Sequence, residues 1–585
     1  MSPEDRIREQ LRNIYEGGAA ERTWYQMEDL INKYEKTHLI ARKLDQDKKI
    51  DLTQKDAILI TYGDQLQDGN QSPLVCLENF LHSYLKDEIS GVHILPFYPY
   101  SSDDGFSVID YRKVDPDLGS WKEIQNIGKN FKLMFDAVIN HVSRKSKWFL
   151  SFLREESPFD EFFIKVDPNI DLSMVFRPRA LPLLTRADTQ SSPVYVWTTF
   201  SDDQIDLNFG NPTVLLEITD LLLFYVSKGA ELIRLDAIAY LWKEIGTTSI
   251  HLPQTHSVIK IWRAVLDILA PWVILITETN VPHIENISYF GEKNNEHAGT
   301  DEAQMVYQFP LAPLILHTIQ KSDARKLTEW AQSLDAPGLF FNFIASHDGI
   351  GIMPAKDILS ESEIEDIVDQ TLTQGGKVSY KSNPDGSESV YELNITLYDW
   401  FNNNDYCPEK VSIDRFLASQ AIMLSLAGVP GIYFHSLIGS KNCYKCMEET
   451  GRWRSINREK IEYSKLTEIL SDPDSRQKKI LDGYKKLLAV RSKNIAFHPK
   501  SSQRIINIDS NIFCLIRGED TNKPVLGFVN VSANKKLLTM NMDEYNIPLK
   551  SETIDLLSNE IFSLKDGSMD MLLNPYQVRW VSTNN

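Results

Sequence analysis

The sequence predicts an α/β fold, a (β/α)8 TIM barrel, on three observations. Eight short apolar runs recur from residue 56 onward, each ending in a polar or turn residue. Stretches of helical period separate most of them, as parallel strands joined by helices require. The polar residues able to do chemistry gather at the C-terminal ends of the runs, where such barrels carry their sites.

Taken in order, the runs are AILITYGD, GVHILPFYP, KLMFDAVINH, ELIRLDA, WVILITETN, AQMVYQF, FFNFIASHD and GIYFHS. NPTVLLEITDLLLFYVSKG is an example of the helical stretches between them. The polar ends carry Asp64, Asn140, His141, Asp236, Glu278, His347 and Asp348. Ahead of the barrel, Ile7, Leu11 and Ile14, then Met27, Leu30, Ile31 and Tyr34, stand at helical spacing. Residues 1–55 are therefore expected to form a helical extension packed on something larger.

The barrel is expected over 56–141 and 206–495. The connection 142–205, after the third run, is too long for an ordinary loop and predicts an inserted subdomain over the barrel mouth. The stretch 352–410, with the turn-rich KSNPDGSES and FNNNDY, predicts a mobile loop or small insertion. From 500 to 585 short alternating runs such as SNIFCLIRG, PVLGFVNVS and VRWVS predict a C-terminal β domain, sandwich-like in pattern.

At 585 residues the chain exceeds what one hydrophobic core serves. Its 62 basic and 81 acidic residues leave a net charge of −19. That argues against nucleic acid or an anionic membrane as partner. An anionic substrate must meet a local group of arginines. The N-terminal MSPEDRIREQLRNIYEGG lacks the apolar core of a signal peptide, and no later run is long enough to span a bilayer. The five cysteines read as free thiols in a reducing compartment. Cys443 and Cys446 make one CxxC without a second pair, so no zinc site is expected. The expected location is cytoplasmic.

Within ELIRLDA, Arg234 and Asp236 stand two apart on a buried strand and so share a face. Alone, such a pair reads first as a structural ion pair. The rest of the chain changes that reading. Asp136-Ala-Val-Ile-Asn140-His141, Gln204-Ile-Asp206-Leu-Asn208, Arg234-Leu-Asp236, Glu278 in ITETN, and Phe343-Ile-Ala-Ser-His347-Asp348 stand in that order. With this set, residues 56 to 490 resemble the α-amylase-type barrel enzymes, family 13 of the glycoside hydrolases, and within them the sucrose phosphorylase-like branch.

The resemblance implies a retaining glucosyl transfer with Asp236 as nucleophile, Glu278 as general acid/base and Asp348 as the third carboxylate. Such chemistry needs the first two about 5–5.5 Å apart. Arg234 would keep Asp236 ionised, and the Glu278 pKa would have to lie above that of Asp236. His141 and His347 would donate to the same glucose, while Asp136 and Asn140 would brace the barrel rim. In Ser101-Ser-Asp103-Asp104-Gly105-Phe106, Asp103 and Phe106 would close the glucose pocket; composition alone makes that stretch a turn. Arg454, in RWRSIN, would complete the pocket, with Gln204 and Phe200 also substrate-binding.

Water attacking the glucosyl-enzyme makes a hydrolase and phosphate makes a phosphorylase. In Phe176-Arg177-Pro178-Arg179, Arg179 matches the phosphate-binding position of the resemblance, and Tyr391 in VYELN matches a second. By composition the same RPR is a solvated basic turn. SSDDGFSVIDY, DLSMVFRPRALPLLT, FSDDQIDLN, IHLPQTH and GIYFHSLIGSKN resemble the glucosylglycerate phosphorylase group more than the sucrose phosphorylases. Two positions depart from the sucrose phosphorylase pattern: Ser389 for an expected Asp, and Glu392 for an expected Gln. Losing an anion at 389 suits an anionic acceptor, whereas Glu392 works against one.

The expected reaction is 2-O-α-D-glucosyl-D-glycerate plus phosphate to α-D-glucose 1-phosphate plus D-glycerate, through a β-glucosyl-enzyme. Sucrose phosphorylase, an α-glucosidase-type hydrolase, and a catalytically dead barrel serving as a sugar-binding subunit are the alternatives. Many amylases hold calcium near the position of Asn140, but the phosphorylase branch implies no metal and no cofactor. The partners implied are small molecules: an α-glucoside, inorganic phosphate and glucose 1-phosphate.

Overall fold

A computed structural model describes all residues except 38–51, 180, 295–298, 383–386, 403–406, 548–551 and 584–585. The eight apolar runs form eight parallel strands: β1 (Ile58–Thr61), β2 (Gly91–Ile94), β3 (Lys132–Ala137), β4 (Ala230–Leu235), β5 (Ile274–Thr277), β6 (Met305–Tyr307), β7 (Leu339–Asn342) and β8 (Val429–Tyr433). Each pairs with the next in the chain, and β8 closes on β1. The strands are buried on both faces, which is why they read as continuous apolar runs rather than alternating ones.

Register matters most between β3 and β4, where Asp136 is the Cα partner of Arg234, and between β4 and β5, where Leu235 faces Thr277. Asp236 and Glu278 thus leave the barrel side by side. The stretch NPTVLLEITDLLLFYVSKG forms a helix over Pro212–Ser227 (α3 below). Asn211 caps it by accepting from the Thr213 amide, and Gly229, at φ +104, turns the chain into β4.

Two N-terminal helices, α1 (Pro3–Ile14) and α2 (Gly18–Thr37), pack outside the barrel on α3 and on α4 (Pro253–Leu269). Ile7 and Leu11 are buried in that contact, and Arg6 Nη2 meets Asp267 Oδ2 at 2.5 Å. Tyr34 and Lys33 both reach Asp220 on α3. The rest of the expected extension, 38–51, lies outside the described residues.

After β3 the chain leaves the barrel, builds a small apolar cluster around Trp197, and returns through Gln204–Asp206, which pairs antiparallel with His141–Ser143. The described part of 352–410 carries the helix Glu361–Thr373 and the strands Lys377–Ser382 and Glu388–Asn394, which form a three-stranded sheet with Ile350–Gly351 just ahead of it. Residues 383–386 of KSNPDGSES and 403–406 of FNNNDY lie outside the described residues. Past residue 500 a six-stranded antiparallel sheet and a two-stranded one enclose a second core.

The cysteine expectation is corrected at one place. Cys443 and Cys446 are joined in a disulfide, because the CxxC spans the first turn of the helix Tyr444–Thr450 and brings the two Cα atoms within 5.3 Å. Cys76, Cys407 and Cys514 are free. Among the described residues no helix is long and apolar enough to cross a membrane.

Candidate active site

Arg234 is the hub of the barrel mouth. Its side chain is 2% exposed, and its Nη1 donates both to Asp136 and, at 2.8 Å, to Asp236. Asp136 also holds His93 Nε2 at 2.6 Å. Burying these charges apart would cost several kcal/mol each, so each fixes the others. The expectation gave Arg234 to Asp236; the structure divides it between two carboxylates. Asp136 therefore does more than brace the rim: it fixes the guanidinium that faces Asp236.

Glu278 is anchored to the same unit. Its Oε2 accepts from the Ala237 amide at 3.0 Å and lies 3.7 Å from Arg234 Nη2. Ala237 has a left-handed backbone at φ +48, a conformation costing about 1–3 kcal/mol for a non-glycine residue. That strained turn presents the amide that Glu278 accepts.

The three carboxyls differ in their surroundings. Burial raises the Asp236 carboxyl; Arg234 opposes this, and Glu278 and Asp136 add to it. Burial also raises Glu278, against Arg234 and with help from the Asp348 charge. Burial pushes Asp348 upward too, but His347, Arg454 and Arg458 outweigh it and hold that carboxyl far below the usual range. Asp348 is thus a fixed anion, while Asp236 and Glu278 form a pair that retains a proton above the ordinary carboxylate range.

Around this pair stands a pocket. The Phe106 ring stacks on His347 at 4.8 Å with the planes 1° apart. Burial brings the His347 imidazole down to about 3, so it is neutral at pH 7. His141 Nε2 lies 2.9 Å from the Phe106 carbonyl, to which Gln204 Nε2 donates at 3.0 Å. Phe200 packs against His141 at 5.3 Å. SSDDG is more than a simple turn: Asp103 and Asp104 are both left-handed, at φ +53 and +50. This sends Asp103 toward Arg179, 3.2 Å away, and Asp104 toward Arg458.

The inserted segment is clamped to the barrel by a residue that sequence reasoning missed. Lys243, 2% exposed, places Nζ 2.7 Å from Asp206 Oδ2 and 2.6 Å from Asn140 Oδ1. Asp206 in turn accepts from the Thr199 amide at 2.9 Å. The chain from Thr199 to Gln204, with Phe200, is set in place by that carboxylate.

Arg454 closes the far side. Its Nη1 meets Asp348 at 2.7 Å, and its Nε and Nη2 grip Glu392 as a fork. Glu392, expected from the sequence to work against an anionic acceptor, has its charge taken up by Arg454. Tyr391 and Glu392 are adjacent, yet both face the cavity. The register of the hairpin slips between Ser379 and Tyr380, as at a bulge.

Every side chain given a catalytic, substrate-binding or phosphate-binding role from the sequence lines one inner chamber of about 80 Å³. Asp103, Arg179, Gln204, Tyr391, Glu392 and Arg454 also line an outer cavity of about 380 Å³ that opens past Trp453. Of the strand-end residues, Asp64 and Asn140 do not line the chamber: Asp64 pairs with Lys460, and Asn140 accepts from Lys243. Tyr240, packed on Phe200 at 5.4 Å, joins the chamber without any sequence signal.

Residues 81–350 match the α-amylase catalytic-domain family. The chain is 47% identical over 91% of its length to a glucosylglycerate phosphorylase of Spirochaeta thermophila, covering 90% of that protein. It is 51% identical over 83% of its length to one of Allomeiothermus silvanus, covering 87% of it. Among solved structures, the sucrose 6F-phosphate phosphorylase of Thermoanaerobacter thermosaccharolyticum superposes with a TM-score of 0.70 at 24% identity, over 82% of this chain and 94% of that one.

Proposed function

The chain belongs to the glucosylglycerate phosphorylases of the α-amylase family, and from that premise we propose how its own residues carry the reaction. It transfers an α-glucosyl unit from 2-O-α-D-glucosyl-D-glycerate to phosphate, with retention, releasing D-glycerate and α-D-glucose 1-phosphate. Asp236 attacks the anomeric carbon while the Glu278 carboxyl protonates the departing glycerate oxygen. The resulting β-glucosyl-enzyme is attacked by phosphate, whose proton returns to Glu278, and the bond to Asp236 breaks.

The division of labour within the pair follows from Arg234. Its direct hydrogen bond goes to Asp236, while Glu278 lies 3.7 Å from it, so charge is favoured on Asp236 and the shared proton on Glu278. Asp348, held ionised, grips sugar hydroxyls and favours the oxocarbenium-like state. Phe106, His141, His347, Asp103 and Arg454 surround the glucose. Arg179 and Tyr391, shared by the inner and outer cavities, receive phosphate.

The observation that carries this reading is the Glu278–Ala237 hydrogen bond beside Asp236, with an arginine-lined cavity behind it. The test supplies glucosylglycerate, sucrose and glucosylglycerol as donors, each with and without phosphate, and follows glucose 1-phosphate. Phosphate-dependent release fastest from glucosylglycerate is expected. Faster release from sucrose would remove the acceptor assignment.

A further inference from the structure

Four arginines line the outer cavity: Arg179, Arg452, Arg454 and Arg458. Three of them have a carboxylate of their own. Arg179 meets Asp103 at 3.2 Å, Arg454 is taken up by Glu392 and Asp348, and Arg458 by Asp104. The fourth is different. Among the described residues, Arg452 comes within ion-pair distance of Asp104 alone, at 4.0 Å, and that carboxylate already accepts a hydrogen bond from Arg458. The Arg452 side chain is 46% exposed.

A half-exposed arginine is ordinary by itself, and an exposed pair at that distance contributes little. Position makes this one informative. The backbone of Arg452 is fixed. It follows Gly451, which ends the helix Tyr444–Thr450 in the left-handed conformation at φ +67. Its amide donates to Thr450 Oγ1 at 3.2 Å, and its carbonyl accepts from the Ser455 amide at 3.2 Å. Two residues on, Arg454 lines both the outer cavity and the inner chamber. The Arg452 guanidinium thus stands on a fixed base, in the space that a group leaving the chamber enters. It brings an uncompensated positive charge there, on a chain whose net charge is −19.

Resting on the reading above, we propose that Arg452 selects an anionic acceptor by receiving the carboxylate of the glycerate unit. In 2-O-glucosylglycerate that carboxylate is attached to the carbon that bears the scissile oxygen. It therefore stands on the departing-group side of the glucose, where the outer cavity lies. Of the four arginines there, Arg452 alone forms such a pair without giving up a carboxylate it already holds. Its planar fork matches a carboxylate with two parallel N–H···O bonds. A neutral polyol of the same size gives the guanidinium no charge to meet. Arg179 and Tyr391, which reach the chamber as well, remain for phosphate.

The test uses α-glucosyl fluoride, an uncharged donor, so that only the acceptor's charge varies. D-glycerate, glycerol and phosphate serve as acceptors, and the glucosylated product of each is read. In Arg452→Gln the ratio of kcat/KM for glycerate to that for glycerol falls by at least roughly tenfold. Arg452→Lys, which keeps the charge without the fork, falls less. A smaller fall in Arg452→Gln overturns the inference, including the case where both acceptors lose activity together. So does a lysine variant as poor as the glutamine one. A loss on phosphate as large as that on glycerate overturns the carboxylate assignment, since Arg452 would then serve any anion. A wild-type enzyme that uses neither glycerate nor phosphate overturns the phosphorylase reading as well. Wild-type use of both, with a ratio that Arg452→Gln leaves in place, overturns the Arg452 assignment alone.

Discussion

The amide of Ala237 donates to the Glu278 carboxylate across 3.0 Å, so the candidate acid is tied to the residue that follows the candidate nucleophile. Two substitutions separate their roles. Asp236→Asn abolishes turnover of every donor, because no bond to the enzyme can form. Glu278→Gln lowers kcat on glucosylglycerate by roughly a hundredfold to ten-thousandfold, but spares the first step on α-glucosyl fluoride, whose leaving group needs no proton. Equal loss on both donors in Glu278→Gln would show that Glu278 is not the acid.

The raised pair sets the pH profile. Because Asp236 and Glu278 retain one proton above the usual carboxylate range, kcat/KM falls as pH rises through the upper macroscopic pKa and that proton is lost. It falls again at low pH, when the second proton arrives and the nucleophile is neutralised. In Glu278→Gln with α-glucosyl fluoride the alkaline limb disappears while the acid limb stays. Persistence of the alkaline limb in that variant would assign it to another group.

Lys243 gives a stability prediction. Lys243→Met leaves Asp206 buried without its cation, at a cost of roughly 3–5 kcal/mol, read as a lower melting temperature. KM for the glucosyl donor rises with it, since Asp206 sets the Thr199–Gln204 segment. Adding Asp206→Asn removes the uncompensated charge and recovers part of the melting temperature. Thermal unfolding of the two variants checks this; additive losses would mean that the two residues act independently.

Glu392 gives the opposite kind of expectation. If its charge opposed the acceptor, Glu392→Gln would improve glycerate use. Because Arg454 already grips that carboxylate, the substitution frees the arginine from its position and lowers kcat/KM for glycerate. Acceptor kinetics on this one variant read the sign directly.

The barrel was legible because parallel strands covered on both faces must be apolar throughout, and eight such runs recur between helices. The carboxylates were legible because they stand where those runs end. Most of what escaped was set by contacts remote in sequence. Lys243 in YLWKEIG reads as a surface lysine until the fold brings Asn140, 103 residues away, onto its ammonium. Glu392 reads as an added negative charge until Arg454, 62 residues on, takes it up. The Cys443–Cys446 bond was missed because the count of five cysteines pointed to free thiols.

Incubation with glucosylglycerate and phosphate, followed by proton NMR from the first minutes, tests the central claim most directly. The two-carboxylate mechanism with phosphate as acceptor predicts the α-anomer of glucose 1-phosphate as the first product, in step with glycerate. First appearance of the β-anomer, or of free glucose at an equal rate when phosphate is withheld, would contradict it.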